Sequence, residues 1–223
     1  MIVVAVSDVH APRYLESFVS KLTPCHADIV LLAGDMIDKN SPAAFWEVFK
    51  HLREVFDAPI ISCFGNSEWF SYREFLKRRF PEVVWLDDEG MVYNSSDGER
   101  VAIFGSLGVL HTPTKWQLRN YPSIMQIYQN RIRKITRYFE TVESERKVLL
   151  THYATCRETL VGEGEEYLDE LGRDLSELFW SCSIDISIHG HAHLSNVRST
   201  KIGKTRVYNV AFPVTSGCTR IEL

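Results

Sequence analysis

The sequence has no apolar segment close to the ~20 residues needed to cross a bilayer. Its first apolar run, residues 1–6, is too short for a secretory signal, and neither a basic leader nor a small-residue cleavage site accompanies it. Both absences argue against a membrane-bound or secreted protein. We therefore expect a cytoplasmic protein that does not associate with membranes.

Cysteines at paired spacing are absent as well. The five cysteines include no C-x-x-C pair, and an odd number cannot all form disulfides with one another. The sequence therefore argues against a disulfide framework and against a thiolate zinc site. We expect reduced thiols that are mostly buried.

An excess of positive charge is also lacking. The formal net charge is −4, so the composition gives no general signal for binding polyanions. Linkers, internal repeats and low-complexity segments are missing too. With 223 residues, 45% of them hydrophobic, the chain is long enough to bury a large core. We expect one domain that spans residues 1–223.

Five apolar runs are present, and each leads into a short polar block. The runs cover residues 1–6, 29–33, 60–64, 148–150 and 184–188, and each is typical of a buried strand. The blocks that follow are S-D-V-H (7–10), G-D-M-I-D (34–38), G-N-S-E (65–68), T-H-Y (151–153) and H-G-H-A-H (189–193). Since ligand sites of open α/β folds lie beyond the carboxyl ends of strands, we expect the five blocks to converge on one crevice.

The side chains in these blocks favour a metal site. Seven of them are of types that bind cations: Asp8, His10, Asp35, Asn66, His152, His191 and His193. A set of imidazoles with carboxylates and one amide suits manganese, iron or zinc better than magnesium or calcium. Two such cations about 3.5–4 Å apart would clamp a phosphoryl group and lower the pKa of a bridging water. The residues therefore predict hydrolytic chemistry.

The remaining pattern predicts a two-sheet architecture. Helices are expected over residues 14–22, 42–56, 68–80, 121–142 and 165–179. Further strands are expected over residues 83–86, 91–93, 101–104, 196–199, 205–210 and 219–223. This order is satisfied by two sheets packed face to face with helices outside.

The five blocks resemble, in type, order and position, the motifs of the calcineurin-like metallophosphoesterases, and the resemblance extends from Ser7 to about Pro213. It implies an α/β fold, a four-layer α-β-β-α sandwich of two mixed sheets, in agreement with the order of elements above. It also implies two divalent or trivalent metal ions, Mn, Fe or Zn. The implied substrate is a phosphate ester, with nucleotides among the candidates, attacked by a hydroxide that bridges the metals.

The resemblance assigns roles to individual residues. By similarity, one metal is held by Asp8, His10, Asp35 and His193, and the second by Asp35, Asn66, His152 and His191. Together with the metals, Asn66 and His152 are implied to stabilise the charge on the phosphoryl oxygens during the reaction.

One position departs from the family pattern. Relatives most often have a histidine directly after G-N, whereas this sequence has Ser67. In the relatives this histidine is paired with the second aspartate of G-D-x-x-D, here Asp38. The histidine assists the leaving-group oxygen. A serine hydroxyl does not act as a general acid near pH 7. Losing such an acid costs ~10²–10⁴ in rate, most severely for poor leaving groups. We therefore expect a phosphodiesterase, or an enzyme for activated esters, rather than an efficient alkyl monoesterase.

Several residues near the blocks have two interpretations. His111, in the loop 105–111, is either a replacement acid, if that loop folds over the metals, or an ordinary surface histidine. His189 is expected to be structural or to support the metal ligands. Asp38 and Glu68 either orient metal ligands or are solvated acids at the start of a helix.

A basic and aromatic segment, residues 115–137, contains six Lys or Arg residues and no acidic residue. It either holds phosphates or bases beside the metals or is a helix with a solvated charged face. Two alternatives to a phosphodiesterase remain open. The first is a non-catalytic protein-interaction scaffold on the same fold, which the intact ligand positions do not favour but which Ser67 keeps open. The second is a nuclease, which the net acidic charge does not favour.

Overall fold

Two mixed β-sheets form the centre of the computed structural model, which describes residues 1–39 and 41–223. The strands are β1 (Ile2–Val6), β2 (Ile29–Ala33), β3 (Ile60–Cys63), β4 (Val83–Leu86), β5 (Glu89–Asn94), β6 (Arg100–Ser106), β7 (Arg146–Thr151), β8 (Ile186–His189), β9 (Ser199–Ile202), β10 (Thr205–Asn209) and β11 (Thr219–Glu222). The helices are α1 (Leu15–Lys21), α2 (Ala44–Val55), α3 (Phe70–Arg79), α4 (Lys115–Asn120), α5 (Ile124–Thr141), α6 (Leu168–Leu171), α7 (Ser176–Cys182) and α8 (Phe212–Thr215).

Each sheet has a parallel centre and an antiparallel edge. The first sheet has the order β11-β1-β2-β3-β4, in which β1 to β4 are parallel and β11 is antiparallel to β1. The second has the order β5-β6-β7-β8-β10-β9, in which β5 and β9 are the antiparallel edges. Because parallel strands end on the same side, the carboxyl ends within each sheet share one edge.

The central strands are buried on both faces, which explains their uninterrupted apolar runs. In β1, Val3 and Ala5 pack between the sheets against residues of β6 and β7, whereas Val4 and Val6 point to the opposite face. That face is covered by α1, α2 and α3, while α5 and α7 cover the outer face of the second sheet. The result is the expected four-layer α-β-β-α sandwich.

The prediction of one continuous helix over residues 165–179 is wrong, because the observed chain is divided into separate short elements. A 3₁₀ turn at Glu165–Tyr167 leads into α6, the chain is extended at Gly172, and α7 begins only at Ser176. At Gly172 the main chain pairs with Ala154, just after β7, and a Cβ atom there would collide with the Ala154 carbonyl. Tertiary main-chain pairing therefore overrides the local helical pattern.

Two other expected elements differ in their bounds. The helix expected over residues 121–142 is preceded by a separate short helix, α4, and Pro122 lies between α4 and α5. The strand expected over residues 196–199 begins only at Ser199, because β9 pairs with β10 around a turn in which Gly203 has a φ of 59°. No helix of the described residues combines the length and apolarity needed to span a membrane.

Candidate metal centre

The five polar blocks meet at the edge where the parallel strands of both sheets end. A side-chain contact of 2.8 Å joins Asp8 after β1 to His193 after β8. Another, of 2.9 Å, joins Asn66 after β3 to His152 after β7. The block after β2 is joined to the block after β3, because Asp35 accepts a 2.7 Å hydrogen bond from the Ser67 amide. The fold thus assembles one crevice from five distant sequence segments.

The backbone at this crevice is strained. Asp8, His10, Asp35 and His191 all have positive φ angles, of 57°, 45°, 49° and 68°, in a region that residues with a Cβ rarely adopt. Such conformations cost roughly 1–3 kcal/mol each and persist where the surrounding structure imposes them. Strain of this kind, concentrated on four predicted metal ligands, is typical of a functional site.

Glycines allow the strand ends to approach one another. A Cβ atom at Gly65 would collide with the Asp35 carboxylate, and one at Gly190 would collide with the carboxylate of Asp8. At Gly34, which has a φ of 79°, a Cβ atom would collide with the Gly65 main chain. The glycines of the G-D, G-N and H-G-H blocks are therefore required by close packing around the two carboxylates.

Two groups of side chains have donor atoms close enough to share a cation. In the first, single ligand atoms of Asp8, His10 and His193 all lie within 4.8 Å of one another. In the second, the same holds for Asp8, Asp35 and His152. The carboxylate common to both groups is that of Asp8, whereas the resemblance assigns the shared role to Asp35.

His10 provides the first evidence that a cation fits here. Both nitrogens of its ring are buried without a hydrogen-bond partner, which is unusual for a buried polar group. The Nε2 atom lies 3.7 Å from Asp8 Oδ1 and 3.7 Å from Asp35 Oδ2. Burial lowers the pKa of His10 to about 4, so its ring is neutral near pH 7. A neutral imidazole facing two carboxylates is suited to bind a metal ion.

His152 provides independent evidence. Its Nδ1 lies 3.0 Å from the Ala33 carbonyl, which only accepts, so Nδ1 carries the hydrogen. Burial lowers the pKa of His152, and in the neutral ring Nε2 is then an acceptor. It lies 2.9 Å from the side chain of Asn66 and 3.5 Å from Asp35 Oδ2. An imidazole nitrogen, an amide and a carboxylate that meet in this way can together bind a cation.

The two buried carboxylates differ in their pKa values. Burial alone would raise the pKa of Asp8, but the hydrogen bond from His193, the charge of His193 and the hydrogen bond from Ser7 outweigh it and lower the pKa. Burial, together with the charge of Asp8, raises the pKa of Asp35 to about 7. Two carboxylates this close resist being ionised together, and a bound cation would relieve that repulsion.

The two last histidines are held differently. His193 lies 2.8 Å from Asp8 through Nε2, and although burial opposes it, this contact raises the pKa of His193. His191 donates its backbone N–H to Asp8, and its ring packs 4.8 Å from the rings of both His152 and Tyr153. His191 belongs to neither group of converging ligand atoms, so its role as a ligand of the second metal stays a prediction.

Glu68 joins two of the strand ends through the backbone. It is 2% exposed, and its carboxylate accepts from the N–H groups of Asp35 and Gly65 through Oε2 and of Met36 and Ile37 through Oε1. Of the two interpretations of this residue, the geometry favours orientation of a metal ligand over a solvated acid.

Ser67 and Asp38 have separate partners. The Ser67 hydroxyl donates to Asp35 Oδ2 at 2.9 Å. Asp38 accepts from Arg13 at 2.9 Å, and its other oxygen lies 3.8 Å from His10 Nδ1. The structure therefore places both residues beside predicted metal ligands without bringing them together. The contribution of Arg13 was missed from the sequence, and no motif signals it.

Among the described residues, no hydrogen bond or ion pair joins the His111 side chain to the metal-binding blocks, and its role as an acid stays a prediction. His111 is exposed, and its amide donates to the Gly172 carbonyl. Leu107 and Leu110 of the same loop line the cavity beside the centre, but His111 is not among the described residues that do so. His189, by contrast, is buried between the Gly190 carbonyl and the Thr159 hydroxyl, which agrees with a structural role.

One supporting contact was missed from the sequence although a signal for it existed. The hydroxyl of Ser7 donates to Asp8 Oδ2 at 2.6 Å. Ser7 directly precedes a predicted metal ligand, and hydroxyls in that position often hydrogen-bond to the neighbouring side chain.

A cavity of about 670 Å³ adjoins the centre, and Asn66 and His191 are part of its wall. The basic segment faces this cavity through side chains that are mostly uncharged: Trp116, Gln117, Tyr121, Ile124, Ile127 and Arg131. Its one basic side chain in the wall, Arg131, is buried and paired with Asp88 at 3.0 Å. The segment therefore presents no free cation to the cavity within the described part of the chain.

Comparisons with known proteins agree with this geometry. No curated protein sequence matches the chain. The phosphopantetheinyl hydrolase of Mycobacterium tuberculosis is similar in structure, with a TM-score of 0.69 and 18% identity over 94% of this chain and 88% of that one. A protein of Thermus thermophilus has a TM-score of 0.60 and 12% identity over 99% and 98% of the two chains. The Plasmodium protein GAP50, described as the anchor in the inner membrane complex, has a TM-score of 0.55 and 9% identity over 96% and 72%.

At these identities the three likenesses show a common fold. The sequence comparison goes further, because residues 1–211 match the family model described as the calcineurin-like phosphoesterase superfamily domain. This chain belongs to the calcineurin-like phosphoesterase superfamily.

Proposed function

We propose that the protein is a dinuclear metal-dependent phosphoesterase that favours phosphodiesters or activated phosphate esters. The observation that carries the proposal is the convergence of Asp8, His10, Asp35 and His152 at one buried site, where both ring nitrogens of His10 lack a hydrogen-bond partner. The donor set of imidazoles, carboxylates and one amide favours manganese, iron or zinc. We propose the catalytic unit as a single domain over residues 1–223.

The residues of the chain have distinct parts in this proposal. Two cations, when bound, supply an activated water and neutralise charge on the phosphoryl group. Asp8, His10, Asp35 and His193 would hold one of them, and Asp35, Asn66, His152 and His191 the other. The converging ligand atoms of Asp8, His10 and His193, and of Asp8, Asp35 and His152, support this assignment. The Ala33 carbonyl keeps the hydrogen of His152 on Nδ1 and so leaves Nε2 free to bind. The amide of Asn66 lies beside it and is positioned to orient a phosphoryl oxygen.

The preference for activated leaving groups rests on Ser67. A serine hydroxyl has one hydrogen to donate, and that of Ser67 points to the Asp35 carboxylate. It is therefore unavailable to a leaving-group oxygen, quite apart from its inability to act as an acid near pH 7. An ester whose leaving group departs without protonation suits such a site.

Neither alternative gains support from the site. A nuclease would need free cations beside the metals, but Arg131 is paired with Asp88, and the described wall of the cavity holds more acidic than basic side chains. The Plasmodium neighbour described as an anchor has the same fold, so the fold alone does not distinguish enzyme from scaffold. The seven predicted ligand positions, all occupied by metal-binding residue types, favour the enzyme.

The first experiment compares bis-p-nitrophenyl phosphate with p-nitrophenyl phosphate as substrates of metal-stripped protein reloaded with manganese. We expect metal-dependent turnover that is lost in Asp35→Asn, and faster turnover of the diester than of the monoester would support a phosphodiesterase. Metal content should be about two ions per chain. Two bound ions without turnover of either ester would contradict the proposal and support a scaffold.

A further inference from the structure

The cavity beside the metal centre is large enough for the organic part of a substrate. Its volume of about 670 Å³ lies within the range of small-molecule sites. It reaches the centre through Asn66 and His191, so that a phosphate ester bound at the metals would project one of its groups into it. The following inference rests on the proposed phosphodiesterase function.

The walls of the cavity are predominantly aromatic and apolar. Trp69 and Phe70, at the start of α3, line one part, and Trp116 and Tyr121, in and after α4, line another. These four side chains are between 39% and 73% exposed. Exposing so much aromatic surface in one place is costly and is typical of a binding site. Flat, sequence-separated aromatic side chains around one cavity are suited to stack on a planar ring.

The short helix α4, which carries Trp116, is tied to the metal centre by hydrogen bonds. The side chain of Gln117 accepts from the Thr114 amide and from the hydroxyl of Tyr128, and it donates to the hydroxyl of Tyr153. Tyr153 directly follows His152 in the chain. The backbone that carries Trp116 is thereby linked to a segment that carries a predicted metal ligand.

The charged side chains in the wall do not favour an additional anionic group. Arg73 donates to Asp87 at 2.7 Å and to the Glu68 carbonyl, and its guanidinium lies 4.9 Å from the ring centre of Phe64. Arg131 is paired with Asp88 in the same way. Among the described residues of the lining, four are acidic, Glu68, Asp87, Asp88 and Glu170, and two are Lys or Arg. Both cations are already used within the protein.

We propose that this cavity binds an uncharged, planar aromatic group on one arm of a phosphodiester substrate, a nucleobase being the nearest common example. The second arm of the diester is the leaving group at the metals. A second phosphate on the bound arm is disfavoured, because it would enter a cavity whose acidic residues outnumber its basic ones. The site therefore takes a small mononucleoside-like diester and discriminates against nucleic acid and nucleotide polyphosphates.

A pair of chromogenic diesters with the same leaving group tests the proposal. One is p-nitrophenyl thymidine 5′-phosphate and the other is methyl p-nitrophenyl phosphate, so only the second arm differs. We expect kcat/KM to be roughly 5- to 100-fold higher for the thymidine ester, through a lower KM, as expected for one stacked base. A 3′-phosphate added to the thymidine should remove most of this preference.

Three tryptophan or phenylalanine variants show where the preference arises. Trp116→Ala and Phe70→Ala remove exposed side chains from the cavity wall and should reduce the ratio of kcat/KM for the two esters to near one. Trp180→Ala is the matched control, because Trp180 is 70% exposed and lies on α7, outside this cavity. It should leave the ratio unchanged.

The outcomes separate this inference from the proposed function. Equal kcat/KM for both esters in the wild type, or a preference that survives in both cavity variants, overturns the inference while the enzyme stands. If neither ester is hydrolysed, the proposed function fails. Calorimetric binding of the two esters to the metal-free protein then decides about the cavity. Tighter binding of the thymidine ester that is lost in Trp116→Ala supports it, and equal binding refutes it.

Discussion

Replacing Ser67 by histidine should widen the range of leaving groups that the protein accepts. The change places an imidazole beside Asp35, at the position where relatives most often have one. A positioned general acid contributes ~10²–10⁴ to the rate, and most of this applies to leaving groups that need protonation. We therefore expect alkyl phosphate monoesters to gain rate in Ser67→His, whereas p-nitrophenyl esters, whose leaving group departs unprotonated, change little.

Two contacts seen in the structure reduce the expected gain. The Ser67 hydroxyl donates to the Asp35 carboxylate, and losing a hydrogen bond to a charged group costs about 1.5–3 kcal/mol. Asp38, which would orient the new imidazole, is already paired with Arg13 at 2.9 Å. We therefore expect about a tenfold gain for the single variant and about a hundredfold gain when Arg13→Ala releases Asp38.

The assay is kcat/KM for a series of phosphate monoesters whose leaving groups range from p-nitrophenol to a simple alcohol. Ser67→Ala is the matched control, because it removes the same hydrogen bond to Asp35 without adding an acid. The gain should increase with the basicity of the leaving group in Ser67→His and be absent from the control. A dependence on the leaving group that is the same in both variants would refute the reasoning.

Three further predictions concern other parts of the site. Gly190→Ala should weaken manganese binding at least tenfold and lower the free energy of unfolding by about 1–3 kcal/mol, because the new Cβ atom would displace the Asp8 carboxylate. An unchanged affinity for manganese would contradict this prediction. Burial and the charge of Asp8 raise the pKa of Asp35 to about 7, so as the pH falls through this value the metal-free protein increasingly holds a proton there that a metal must displace. Manganese affinity should therefore fall as the pH is lowered from about 8 to about 6. Calorimetry in buffers of different ionisation enthalpy checks the release of the proton, and a binding heat that is the same in all of them would contradict the prediction. Arg131→Ala should destabilise the fold by about 3 kcal/mol in urea unfolding, because it leaves the largely buried Asp88 carboxylate without its ion-pair partner. The control Arg133→Ala, at an exposed position, should change stability by less than about 0.5 kcal/mol. Equal effects of the two variants would contradict a structural role for Arg131.

The sequence predicted the positions of the blocks well because their cause is local. Each block follows a strand that is buried on both faces, and such strands appear as short apolar runs bounded by polar residues. The strands that carry Asp8 and Asp35 were therefore expected almost at their observed bounds, β1 at Ile2–Val6 and β2 at Ile29–Ala33. The family and the four-layer sandwich followed from the same motifs and are confirmed.

Elements that depend on distant main-chain contacts were predicted poorly. Residues 165–179 have a helical pattern, but Gly172 pairs with the chain after β7 and divides the helix. The bounds of β9 depend on its register with β10, which no property of residues 196–199 indicates. In both cases the hydrogen-bond partners lie in another part of the sequence.

The sequence by itself determined which residue types stand at the strand ends, and hence the family and the kind of metal that would suit the site. Only the tertiary structure decided how these residues meet. It showed that both ring nitrogens of His10 lack a hydrogen-bond partner, that Ser67 donates to Asp35, and that Asp38 is paired with Arg13. It also brought the aromatic residues of α3 and α4 to one cavity beside the centre. The physical reason is that side-chain chemistry is a property of single residues, whereas distance, burial and charge pairing depend on segments far apart in the chain.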